Sequence, residues 1–195
     1  MNIEYEAKFL DVDKNKIRTK LKEIGAKLVQ SEYMQKRVVF ELPKGHEIKG
    51  GWLRVRDEGN KITLSLKVVD GQKIENQKEI CLKVDNFEEA VSFLLSIGCT
   101  KKAYQETKRE RWAIDDIEID IDEWPFLEPF IEIEGNSEEK VKAFCEKMGF
   151  DYSKAMFCAV DMIYKLKYGV PFEVVNKTPQ IVFNMKNPFN NANRN

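Results

Sequence analysis

Two stretches decide the fold: Ile117-Glu118-Ile119-Asp120-Ile121-Asp122 and, after a break at Trp124-Pro125, Phe130-Ile131-Glu132-Ile133-Glu134-Gly135. In both, apolar and acidic residues alternate with period two, the pattern of a strand that shows different chemistry to its two sides. The alternation recurs upstream. Ile3, Tyr5, Ala7 and Phe9 interleave with Glu4, Glu6 and Lys8; Leu53 and Val55 with Arg54 and Arg56; Ile62, Leu64, Leu66 and Val68 with Thr63, Ser65 and Lys67. Arg109 and Arg111 share one face of a further strand, and strands are predicted around residues 34–42 and 78–84.

Helical spacing fills the intervals. Ile17, Leu21 and Ile24 precede Gly25, residues 87–97 end at Gly98, and residues 141–148 end at Gly149, each glycine a C-terminal cap. Asn136 or Ser137 supplies an N-cap for the third helix, and a fourth is predicted over 154–168. The endings Leu21-Lys22-Glu23-Ile24-Gly25-Ala26 and Leu94-Leu95-Ser96-Ile97-Gly98-Cys99 precede Lys36-Arg37 and Lys108-Arg109 respectively, a short internal repeat. These elements predict an α+β fold: a closed antiparallel β-barrel of about eight strands with amphipathic helices packed outside. The domain is expected over residues 1–172, followed by an Asn-rich tail, 173–195, poorly ordered at its end.

Charged residues make up 33% of the 195, yet Lys+Arg (32) and Asp+Glu (33) nearly cancel. That balance argues against a globally basic surface, so neither nucleic acid nor membrane is an expected partner. Cys81, Cys99, Cys145 and Cys158 lack CxxC spacing and are expected as buried thiols in a reducing compartment. No stretch approaches the ~20 apolar residues of a membrane span, and no apolar leader opens the sequence, so a soluble cytoplasmic protein is expected.

A sheet face in water mixes signs, because like charges on neighbouring positions repel. Here Glu4 with Glu6, Asp120 with Asp122 and Glu132 with Glu134 form same-face acidic pairs, while Arg54 with Arg56 and Arg109 with Arg111 form basic ones. Carboxylates without His or Cys partners suit the hard ions Mg²⁺ and Mn²⁺; guanidinium forks suit phosphate oxygens. A metal-bound polyphosphate enclosed by the charged faces satisfies both sets, with the apolar faces turned outward beneath the helices. A charged structural barrel is the bland alternative for each strand taken alone.

Glu4-Tyr5-Glu6-Ala7-Lys8 is an N-terminal E-x-E-x-K. With Arg54-Val55-Arg56, Lys67, Glu79, Arg109-Glu110-Arg111, Asp120-Ile121-Asp122 and Glu132-Ile133-Glu134-Gly135 following in order, the sequence resembles the triphosphate tunnel metalloenzymes of the CYTH superfamily over about residues 1–168. That group includes class IV adenylyl cyclases, thiamine triphosphatases and inorganic tripolyphosphatases. The sequence departs from the family around Gln35-Lys36-Arg37-Val38-Val39-Phe40, where an aspartate and a tyrosine are frequent, and at Gln77-Lys78. The resemblance implies Mg²⁺ or Mn²⁺ held by Glu4, Glu6, Glu132 and Glu134 with Asp120 or Asp122, and phosphate bound by Lys8, Arg54, Arg56, Lys67, Arg109 and Arg111. Glu79 would orient a basic residue or a water, so that Glu4, Glu6, Lys8, Lys67, Glu79 and Glu134 are the catalytic candidates.

The implied activity is hydrolysis of inorganic tripolyphosphate or a small organic triphosphate. Conversion of ATP to cyclic AMP and non-catalytic binding of polyphosphate are the alternatives. A triphosphate-containing small molecule is the expected partner, and a homodimer is compatible with the sequence. His46, in a loop with Pro43 and Gly45, reads as solvated; Gly50-Gly51 reads as a turn; and Trp52, Trp112 and Trp124 read as core or rim residues.

Overall fold

The computed structural model describes residues 1–190. In chain order the elements are β1 (Asn2–Ile3), β2 (Tyr5–Phe9), α1 (Lys14–Glu23), β3 (Lys27–Glu41), β4 (Gly51–Asp57), β5 (Ile62–Val69), β6 (Gln77–Val84), α2 (Phe87–Ser96), β7 (Thr100–Ile114), β8 (Ile117–Glu123), β9 (Phe130–Gly135), α3 (Glu138–Met148), α4 (Val160–Tyr168), α5 (Phe172–Lys177) and β10 (Gln180–Ile181). The sheet runs β1-β6-β5-β4-β3-β7-β8-β9-β2. Only Glu4 separates β1 from β2, so one N-terminal strand forms both ends of that order. Its first half pairs antiparallel with β6 and its second half with β9. The sheet therefore rolls into a nearly closed barrel, which removes most of its free edges.

The apolar faces point outward, as expected. Ile119, Ile121, Ile131 and Ile133 are buried in one cluster with Leu21 of α1 and Val141, Phe144, Cys145 and Met148 of α3. Each such isoleucine contributes roughly 1.5–3 kcal/mol by burial, which is why these helices lie against the barrel. A second cluster joins Val38, Phe40 and Val55 to Ala90 and Leu94 of α2. A third joins Trp124 and Phe130 to Ile163 and Tyr164 of α4, Val175 of α5 and Phe189. Asp13 and Ser137 cap α1 and α3, and Gly149 ends α3 with φ +88°. None of the described helices is long and apolar enough to cross a membrane.

Three expectations are corrected. The predicted helix over 154–168 is split: Tyr152–Lys154 forms a 3-10 turn and α4 begins only at Val160. Between them the Met156 amide donates to the Lys8 carbonyl and the Met156 carbonyl accepts from the Lys8 amide, both at 3.0 Å. A helix there would keep those groups for itself and leave the edge of β2 unpaired. Residues 173–190, expected as tail, are packed: β10 adds parallel to β7, and Ile181, Val182 and Phe189 are buried. The end of the expected tail, residues 191–195, lies outside the described residues. Cys99 and Cys145 are buried, but Cys81 is exposed, because β1 pairs only with Lys78 and Glu79 and leaves the second half of β6 a free edge.

The internal repeat has a structural counterpart. The two similar helix endings each lead into a 15-residue strand, β3 and β7, and these two strands pair with one another along most of their length. Register shifts in the first half of that pair absorb the one-residue difference between the Gly25–Arg37 and Gly98–Arg109 spacings. Arg37 and Arg109 are thus counterparts in the two halves.

Candidate functional site

Alternation carries the charged residues of β2, β4, β5, β7, β8 and β9 into the barrel lumen, where Glu6, Lys8, Arg56, Lys67, Arg109, Asp120 and Asp122 are all buried. Register then decides what each one meets. Lys8 stands opposite Glu132, Lys67 opposite Glu79, Arg109 opposite Asp122 and Arg111 opposite Asp120. The sign-segregated faces seen in the sequence therefore neutralise one another across strands to a large extent. Lys8 Nζ lies 3.2 Å from Glu132 and bonds Glu6; Lys67 Nζ lies 2.8 Å from Glu4; Arg54 bonds Glu79 at 2.9 Å; Arg56 bonds Glu58 at 2.8 Å.

Arg109 is the hub of the acidic side. Its Nε donates to Asp122 at 2.6 Å, its Nη1 lies 2.6 Å from Asp120, and its Nη2 lies 2.6 Å from Glu132. Burial disfavours the guanidinium charge, but Asp120, Asp122 and Glu132 outweigh it and hold the pKa well above the ordinary arginine value. Glu132 is driven in the opposite direction: burial raises its pKa, and Lys8, Arg109 and Lys67 pull it well below the usual carboxylate range. The six expected metal ligands consequently do not form one cluster. Asp120, Asp122 and Glu132 are engaged by arginine and lysine.

Glu4, Glu6 and Glu134 do converge, each offering one oxygen within 4.8 Å of the others. Glu6 and Glu134 are directly opposite across β2 and β9, and Glu118 is opposite Glu134 on the other side. Like charges in that register repel. Burial first, then Glu6, pushes the Glu134 carboxyl up to about 7 despite Lys67. Glu4 is also raised, by burial above all, and shares a hydrogen bond with Glu79.

A carboxyl harder to ionise in the fold than in the unfolded chain favours folding while it is protonated. Glu134 thus contributes stability below its unfolded value of 4.5, and loses it as the pH rises through about 7. Glu58 has the opposite sign. Burial is outweighed by Arg56 and Lys61, so its pKa falls to about 2, and its contribution is present above 4.5 and lost only as the pH falls toward 2. Thermal unfolding in the presence of a chelator is therefore expected at a lower temperature at pH 8 than at pH 5.5. Equal midpoints at the two values would reject a strained carboxylate cluster.

Several lumen residues escaped the sequence reading. Gln77 donates from Nε2 to the Glu6 carbonyl at 2.8 Å, and Thr63 donates to Glu58 at 3.1 Å. Arg37 is buried and points into the lumen, its Nη2 donating to Gln35 Oε1 at 2.9 Å and Thr107 Oγ1 at 2.7 Å. The alternation of Gln35 with Arg37 was available in the sequence but is blurred by Lys36, which is exposed on the other side. Lys108 turns away from Arg109 and pairs with Glu123 at 3.1 Å. His46 is exposed, while Trp112 and Trp124 are buried, as expected.

Comparison with known proteins places these residues in context. The CYTH domain family profile matches residues 2–163. A Methanocaldococcus jannaschii protein, provisionally named an adenylate cyclase, is 27% identical over 170 residues, 85% of this chain and 96% of that one. The solved structure of a Vibrio parahaemolyticus protein, also provisionally named an adenylate cyclase, superposes with a TM-score of 0.72 at 12% identity, covering 83% of this chain and 97% of that one. A Hippeastrum protein, provisionally named an adenylyl cyclase but described as having a dominant triphosphatase activity, superposes with a TM-score of 0.53 at 15% identity, covering 86% of this chain and 98% of that one. At these identities the two structures share the fold with this chain and no more.

Proposed function

This chain belongs to the CYTH domain family, whose enzymes act on triphosphates, and we propose that it is a metal-dependent triphosphatase, hydrolysing inorganic tripolyphosphate or a small organic triphosphate in the barrel lumen. The observation that carries the reading is the convergence of Glu4, Glu6 and Glu134 in the same lumen as the cations Lys8, Arg54, Arg56 and Lys67. A set of three carboxylates with no His or Cys among its members fits a hard divalent cation. Burial and then the neighbouring Glu6 raise the Glu134 carboxyl, a strain that a cation would relieve. Glu4, Glu6 and Glu134 would hold Mg²⁺ or Mn²⁺, which would supply Lewis-acid neutralisation of phosphate oxygens.

The chain's own groups bind and orient the phosphate chain. Lys8 and Lys67 are held charged by Glu132, Glu6 and Glu4 against the effect of burial, and their ammonium groups donate to phosphoryl oxygens. Arg54 and Arg56 present forks suited to the leaving phosphate, whose charge grows as the bond to phosphorus lengthens. Glu79 fixes Arg54 at 2.9 Å. Asp120, Asp122 and Glu132 act through Arg109, which they orient, rather than as ligands of the cluster.

Cyclic AMP formation is the second reading, favoured by the name of the M. jannaschii relative. The Hippeastrum protein's described activity supports ranking hydrolysis first. Purified protein incubated with Mg²⁺ or Mn²⁺ and either tripolyphosphate or ATP is expected to release orthophosphate. Cyclic AMP as the dominant product would reverse the ranking, and saturable binding without turnover would make the protein a polyphosphate-binding module.

A further inference from the structure

Among the described residues each cation of the lumen forms an ion pair except one. Lys8, Arg54, Arg56, Lys67, Arg109 and Arg111 all form ion pairs. Arg37 forms none among the described residues, although it is only 4% exposed, and its Nε has no hydrogen-bond partner. Its fixed partners are neutral: Gln35, Thr107 and the face of Trp124, 4.6 Å below the guanidinium.

The surroundings make this isolation worse. Arg37 stands directly opposite Arg56 in the β3–β4 register. Burial, and then Arg54, Arg56 and Arg109, depress its pKa well below the ordinary value, and Asp122, already bonded by Arg109, offsets them only in part. Its counterpart in the other half of the repeat, Arg109, has three carboxylates around it. A buried guanidinium without a counter-charge is among the most costly features a fold can carry, and it persists where a ligand anion completes it. Gln35 and Thr107 fix the rotamer, so the remaining donors are presented in a set orientation.

We propose that Arg37, held by Gln35 and Thr107 and seated on Trp124, anchors a subsite for the free terminal phosphoryl group of the ligand and so selects triphosphates with an unesterified end. A terminal phosphoryl differs from an internal one by an additional negative charge and a third equivalent oxygen, the features that an unneutralised guanidinium rewards. The inference rests on the lumen being a triphosphate site. It adds a residue at a position where the sequence departs from the family.

The test is calorimetric binding in the presence of a chelator, with three probes: tripolyphosphate, with two free ends; ATP, with one; and diadenosine triphosphate, with none. Wild-type protein is expected to bind the first two at least about tenfold more tightly than the third. Arg37→Met is expected to weaken tripolyphosphate and ATP by roughly 10- to 100-fold and to leave diadenosine triphosphate within about threefold. Arg37→Lys, which keeps the charge but not the fork, is expected to fall between. Loss on tripolyphosphate alone supports the subsite and identifies its ligand as an inorganic chain. Equal losses on all three probes, or no loss, overturn the proposal. So does a fall in the ligand-free melting temperature of Arg37→Met as large as that of Arg109→Met, because Arg37 would then be a structural residue. If wild-type protein binds tripolyphosphate through Arg37 without hydrolysing it, the triphosphatase reading fails and the subsite stands; if hydrolysis is intact and the Arg37 variants bind like wild type, only the subsite fails.

Discussion

Replacing Arg109 with methionine is expected to destabilise the protein by about 3–5 kcal/mol, the cost of leaving a buried ionic network without its partner. Methionine preserves length and much of the volume, so packing accounts for little of the loss. What remains is three acids, Asp120, Asp122 and Glu132, in a lumen where Arg109 had bonded each of them. Asp120 and Glu132 are moreover directly opposite across β8 and β9, bridged only by that guanidinium. Lys8 and Arg111 still reach Glu132 and Asp120, at 3.2 and 2.8 Å. Asp122 keeps no ion pair among the described residues, so a second change, Asp122→Asn, should recover part of the loss. The effect should also shrink as the pH is lowered through the carboxylate range, because protonated acids no longer repel. Urea denaturation of the single and double variants at pH 7 and pH 4.5 checks all three statements. A loss below about 1 kcal/mol at pH 7 would mean that water, not Arg109, compensates these acids.

This dependence on register explains what the sequence could and could not disclose. Period-two alternation in Ile117–Asp122 and in residues 130–134 distinguishes strand from helix and separates an apolar from a charged face, because alternation is a property of one strand, while the apolar stripes of the helices indicate which face they cover. The capping glycines, Gly25, Gly98 and Gly149, marked helix ends because only the local backbone is involved, and all three have positive φ. Which acid faces which base is a property of two strands, and one residue of slip would reverse it. Glu132 and Glu134 are alike in the sequence, yet one is held by Lys8 and Arg109 while the other faces Glu6. The split of the predicted fourth helix has the same origin, since Met156 is committed to a bond with Lys8, 148 positions earlier in the chain, that no local pattern encodes. Arg37 was passed over for a related reason: its isolation is visible only when the partners of its neighbours are known.

Glu134→Gln is expected to move activity and stability in opposite directions. Glu134 forms no ion pair among the described residues; its lumen neighbours are Glu6 and Glu118 across the strands. The rise of its pKa from 4.5 to about 7 corresponds to roughly 3 kcal/mol of strain at neutral pH and above. Glutamine is isosteric and uncharged, so the chelated variant is expected to melt above wild type at pH 8 and close to it at pH 5, where the wild-type carboxyl is protonated. Metal-supported hydrolysis should fall by about 10²–10³-fold, the usual scale for removing one fixed electrostatic contact at a reacting centre. A structural carboxylate behaves differently: its removal lowers stability and leaves turnover per folded molecule alone. Residues kept at the expense of stability are kept for what they bind, and Glu134, opposite Glu6 and beside Glu4, has a divalent cation as its natural counter-charge. Loss of stability at pH 8 with turnover preserved would remove Glu134 from the site, and with it the central member of the carboxylate cluster.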